Sequence, residues 1–208
     1  MHRIGVGQPG NCPLREMDAM ESFAGKLLIA SPYLGDRNFN KSVVLIIQHG
    51  EDGAFGLVLN RPTNYGVADV WDIVSESDSD SESCQADAVI HHGGPVEGPL
   101  MALHTKRSYS EHRIAAGVYF AASKDKIRQL LAGNSQPVRI FSGYSGWGSD
   151  QLESELEEGA WLTHPASRKF VFVDDTADLW KIVAKQVAKD VVMQKLDIKN
   201  VPSDPSLN

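Results

Sequence analysis

Apolar and polar positions along this chain form short runs that predict strands first, then strands mixed with helices. Residues 26–31 (KLLIAS) read as a strand that Pro32 stops. Residues 42–48 (SVVLIIQ) are almost wholly apolar and β-branched, so this strand is expected to be buried on both faces. Glu51-Asp52-Gly53 supplies a turn, and residues 54–60 (AFGLVLN) return as the second arm of a hairpin that Arg61-Pro62 ends. Val67, Val70, Trp71 and Val74 recur at helical spacing and predict a one-faced helix over 66–74. Further strands are expected over 88–92, 100–105 and 117–121. A helix follows over 123–132, with Ser123 as its cap, Asp125 in its first turn and Gly133 as its stop. Residues 137–141 (PVRIF) predict a strand, 143–148 a glycine-rich turn, 149–158 a helix closed by Gly159, and 160–163 (AWLT) a short strand. The last helix is expected over 176–189, with Leu179, Ile182, Val183 and Val187 facing inward. This order suggests one α+β domain around a mixed sheet, without internal repeats.

Three stretches lack any such pattern. Residues 1–22 hold Gly7, Pro9, Gly10 and Pro13 and read as a flexible leader, in which Met17 and Met20 compete with Met1 as the start. Residues 75–83 alternate serine with Glu76, Asp78, Asp80 and Glu82 and offer no apolar side chain to bury. A mobile acidic insertion over 75–86, dispensable for folding, is therefore expected inside a domain of residues 23–195. Residues 196–208 are expected to form a flexible tail.

Composition narrows the function. Apolar residues make up 42% and charged residues 23% of 208, as in an ordinary globular protein. Lysine and arginine number 20 against 27 acidic residues, a net charge of −7 that argues against broad nucleic-acid affinity. The longest strictly apolar run, 43–47, is far too short for a bilayer, so no membrane role is expected. The first twenty residues also lack the apolar stretch of a signal peptide. Two cysteines, Cys12 and Cys84, lie in polar stretches and read as free thiols, which points to the cytoplasm. Nothing in the motifs calls for a cofactor.

Four motifs hold candidate chemistry. In Gly143-Tyr144-Ser145-Gly146-Trp147-Gly148, between a strand and a helix, glycines would let the backbone approach an anion or nucleotide at the helix start. The commoner reading is a tight connection anchored by Trp147. The run matches neither a dinucleotide fingerprint nor a phosphate loop nor a nucleophile elbow. In His91-His92-Gly93-Gly94-Pro95 the two imidazoles point to opposite faces of a strand, which disfavours a shared metal. Asn60-Arg61-Pro62 places an arginine at a strand end, where it can grip a carboxylate, with Asp36 an internal candidate. Lys181, Lys185 and Lys189 form a stripe that reads as a solvated helix face rather than a phosphate-binding one. Ser145 with His91 or His92 and Asp36 has the residue types of a triad, but nothing local ties them. Asn60, Arg61, His92, Gly93, Gly94, Gly143, Ser145, Gly146 and Gly148 are thus the candidate ligand-binding residues, with no catalytic or metal set.

Gly25 to Pro32, Ser42 to Leu45, Gly56 to Pro62, Gly93 to Val96 and Gly143 to Trp147 occur in this order and, together, resemble the AlgH/YqgE family of bacterial cytosolic proteins over about residues 23–190. The resemblance implies a single domain with a mixed, mostly antiparallel sheet curled into a pseudo-barrel flanked by helices. It implies no established activity, only a frequent label of transcriptional regulator, and hence a non-enzymatic regulatory or interaction protein with an unknown protein partner. Alanine is common in that family where this chain has Ser145, which weakens a nucleophile role. The long leader and the serine-acid insertion depart from the family pattern.

Overall fold

In the computed structural model, which describes residues 22–70, 89–132 and 137–195, the apolar runs pair into one ten-stranded sheet. Its strands are β1 (Lys26–Ala30), β2 (Val43–Gly50), β3 (Gly53–Val58), β4 (Pro62–Gly66), β5 (Val89–His92), β6 (Val96–His104), β7 (His112–Ala115), β8 (Val118–Ala121), β9 (Val138–Trp147) and β10 (Trp161–Pro165). The helices are α1 (Lys124–Ala132), α2 (Gln151–Glu157), α3 (Arg168–Val171) and α4 (Leu179–Lys195). The main path runs β10-β1-β2-β3-β9-β6-β8-β7, and β5 joins β4 to β9. All pairs are antiparallel except β5 with β9. The sheet curls into a half-barrel, as the resemblance implied.

Side-chain alternation explains why the first strands are apolar throughout. Leu27, Ile29, Val43, Leu45, Leu57 and Leu59 enter the inner core with α3 and α4. Leu28, Ala30, Val44, Ile46 and Val58 enter a second core under α2. A period of two serves both faces, so β1 and the Val43–Ile47 part of β2 have no solvent side, while Gln48 and Gly50 at the end of β2 are exposed. A third core packs α1 through Ile127, Leu130 and Leu131 onto β5, β6, β8 and β9.

The second core is tied off by one carboxylate. Glu155 on α2 accepts the indole N–H of Trp147 at 2.9 Å and of Trp161 at 2.7 Å on one oxygen, and Gln151 donates to the other. Phe39 lies against both indoles.

Several expectations need correction. Residues 143–148 are not a turn: β9 runs on through Trp147 as a strand between β3, β5 and β6. Glycine weakens an isolated strand, but at Gly143, with φ +72°, a Cβ would lie 2.8 Å from Val96 O. Of the helix expected at 66–74, Gly66 ends β4 and Val67–Val70 form a short 3-10 helix, at whose start Asp69 accepts from the Gly66 N–H. Ile182 does not face inward and is 43% exposed. At 100° per residue the buried stripe runs through Leu179, Val183 and Val187, and Ile182 falls on its flank. The leader, Cys12, Cys84, residues 71–74, the acidic insertion and the tail lie outside the described residues. Among the described residues no helix is long and apolar enough to cross a membrane.

Candidate functional site

The two histidines of β5 part as their spacing predicts. His91 is buried, with its ring 5.5 Å from that of Phe141, and its Nδ1 has no partner among the described residues. Burial first, and the nearby Arg139 charge second, push its pKa down to about 4, so the imidazole is neutral in the fold. His92 is exposed on the opposite face.

Beyond His92 the chain threads between β3 and β9. The Gly93 N–H donates to Ser142 O, and Gly93 O accepts from the Val58 N–H, each at 2.8 Å. A Cβ on Gly93 would lie 2.2 Å from Gly143 O, and one on Gly94 2.3 Å from the Tyr144 carbonyl carbon. Gly94 also has φ +153°. The Gly-Gly and Gly143 motifs are therefore two halves of one close crossing. Ser145 is fully buried there and its hydroxyl donates to Gly93 O at 3.3 Å. Gly146 pairs with Phe55 in the β3–β9 ladder, and the Gly148 N–H donates to Gln151. The helix after them, α2, starts at Gln151 behind Asp150 in the left-handed region. A carboxylate beside a seven-residue helix does not make the anion cradle that the glycines offered as the alternative to a tight connection.

Asn60 also serves the fold. Its Oδ1 accepts the Val43 N–H and its Nδ2 donates to Lys41 O, each at 2.9 Å. Asp36 does not pair with Arg61; its oxygen caps the Asn38 N–H at 2.7 Å. Arg61 donates instead to the carbonyls of Asn60 and Asn40. Ser145, the β5 histidines and Asp36 do not form a triad: the Ser145 hydroxyl donates to Gly93 O and Asp36 accepts from the Asn38 N–H.

The remaining candidates do meet. Three adjoining hollows share His92 as a wall. One, of about 190 Å³, is lined by Arg37, Asn38, Arg61 and Pro95. A second, of about 420 Å³, is lined by Tyr65, Ile90, Pro99 and Leu100. A third, of about 340 Å³, lies against Glu97, Gly98, Ser142 and Gly143. Among the described residues neither Arg37 nor Arg61 has a carboxylate partner. Arg61 is half-buried, and that burial lowers its pKa. The site is thus a cationic hollow beside a largely apolar one, with an imidazole between them. Arg37, Tyr65 and Leu100 carry no motif that would have singled them out, because loops far apart in sequence bring them to His92. Among the described residues no cluster of metal-ligating side chains forms.

Comparisons with known proteins agree on a family. The AlgH-like family model matches residues 27–192. A UPF0301 protein of Chlorobium chlorochromatii is 35% identical over 89% of this chain and 95% of its own length. A UPF0301 protein of Xanthomonas oryzae is 36% identical over 81% of this chain and 90% of its own. The solution structure of the AlgH protein from Pseudomonas aeruginosa, 27% identical, superposes with a TM-score of 0.65 over 94% of this chain and all of that one. A crystal structure of a Corynebacterium diphtheriae protein, 23% identical, shares the fold with a TM-score of 0.65 over 80% of this chain and 87% of its own. A family model spanning most of the chain, relatives above 30% identity and a shared fold lead to one conclusion: the chain belongs to the AlgH-like family.

Proposed function

We propose that this AlgH-like protein is a non-enzymatic regulatory protein that recognises an anionic group in the hollow between Arg37, Arg61 and His92 and signals its occupancy to a protein partner. The carrying observation is Arg61. Its guanidinium is half-buried, bonds only backbone carbonyls, and meets no carboxylate among the described residues. A cation removed from water in this way is offset by an anionic oxygen, and a guanidinium presents paired donors for one. Arg37 is exposed on the wall of the same hollow and adds a second positive charge. The proposed setting is the cytoplasm, supported by a sequence with only two cysteines. Regulation through direct DNA contact is not proposed, because the chain carries a net charge of −7.

The test is a thermal-shift and calorimetric titration of the full chain with inorganic phosphate and pyrophosphate. Binding to the folded state alone raises Tm, by linkage. The expected result is a rise that Arg61→Gln and Arg37→Gln each diminish. No rise with either anion overturns the reading. Turnover of any substrate that is lost on His92→Ala would replace it with an enzymatic one.

A further inference from the structure

The anion hollow does not stand alone. It meets the hollow of about 420 Å³ at His92, and that neighbour is lined by a different chemistry. Tyr65 on β4 is 66% exposed and has no ring partner among the described residues. Ile90, Pro99 and Leu100 supply further apolar surface in the same hollow. An exposed tyrosine face beside aliphatic side chains is a platform for a flat ring. The cationic end is the smallest of the three hollows, which suits one phosphoryl group rather than a polyphosphate chain. Two guanidinium groups on its wall match a phosphomonoester dianion better than a single carboxylate. The third hollow holds Glu97, whose carboxylate can accept hydrogen bonds from the hydroxyls of a sugar linking ring and phosphate.

We infer that the three hollows around His92 form one site for a nucleoside monophosphate, with the base against Tyr65, the sugar toward Glu97 and the phosphate between Arg37 and Arg61. This rests on the anion-recognition reading above and adds the ring and the sugar to it. Both the volumes and the mixed apolar and polar walls fall within the ordinary run of small-molecule sites.

Calorimetry of the full chain with AMP, adenosine and inorganic phosphate tests it. AMP is expected to bind about tenfold or more tightly than phosphate, and more tightly than adenosine, because only AMP fills both ends. Tyr65→Ala should remove most of that advantage while leaving phosphate affinity unchanged; Tyr65 is exposed, so the fold tolerates the change. Arg61→Gln should weaken AMP and phosphate alike. Because Arg61 also bonds the carbonyls of Asn40 and Asn60, Arg37→Gln, at an exposed side chain, gives the same test without that structural role. If AMP binds no better than phosphate, or Tyr65→Ala leaves AMP affinity intact, the nucleotide inference is overturned while anion recognition stands. If neither AMP nor phosphate binds, both fall.

Discussion

At the residue scale, His91 links burial to acid sensitivity. Its ordinary pKa of 6.5 falls to about 4 in the fold. Between these values the unfolded chain holds a proton that the folded chain refuses, so stability drops as pH falls through that window and is fully restored above it. His91→Phe keeps a ring beside Phe141 and removes the titration. Urea unfolding at pH 7 and 4.5 should show the wild type losing on the order of 2–3 kcal/mol more than the variant over that interval. An equal loss in both would mean that His91 is not the group responsible. The neighbouring His92 shows how far single residues can be read from sequence. The opposed faces of the pair follow from strand geometry alone, and Arg61 was legible as a donor at a strand end, although its partners are the carbonyls of Asn40 and Asn60 and not Asp36. Arg37 and Tyr65 were not, because an exposed arginine in a turn and an exposed tyrosine on a weak strand acquire meaning only when tertiary structure sets them beside His92.

At the scale of elements, Glu111 holds the entry to α1. One carboxylate oxygen accepts the Ala122 N–H at 2.9 Å and the other the Ser123 N–H at 3.0 Å. Burial raises its pKa, but these bonds, the Ser123 side chain and the Lys126 charge outweigh that and hold it below the ordinary carboxylate value. Glu111→Ala leaves two backbone donors at a helix start without this acceptor and should destabilise the protein by about 1–2 kcal/mol. Melting curves of the two proteins decide it, and an unchanged Tm would show that water replaces the carboxylate. Most elements were legible where a period was strong, as in β1, β2, α1 and α2. Two short strands were not. Pro62–Gly66 (PTNYG) shows no alternation and is a strand because β5 pairs with it, and His112–Ala115 (HRIA) is a short edge strand held by β8. The glycine run of β9 misled in the other direction: glycine signals a turn locally, whereas Gly143 marks a close approach to the Val96 carbonyl and Gly146 is an ordinary strand position paired with Phe55.

For the molecule as a whole, α4 closes the inner face of the half-barrel. Leu179, Val183 and Val187 are buried in the inner core, and the Trp180 indole N–H donates to Ala30 O at 2.8 Å. Leu179→Ala opens a cavity at a fully buried position and should cost about 2–5 kcal/mol. Far-UV dichroism and tryptophan emission should lose that stability in one shared transition; two separate transitions would show that α4 comes away independently of the sheet. The place of β9 in the sheet bears on how the chain is made. It pairs with β3, β5 and β6, and β1 waits for β10 from the far end of the fold. During synthesis the apolar unit of β1, β2 and β3 therefore leaves the ribosome well before β10 and β9, which cover its two outer edges, exist. A nascent chain in that state is exposed to aggregation and suited to a holding chaperone, and the long sequence separation of its pairings favours slow refolding over rapid local collapse.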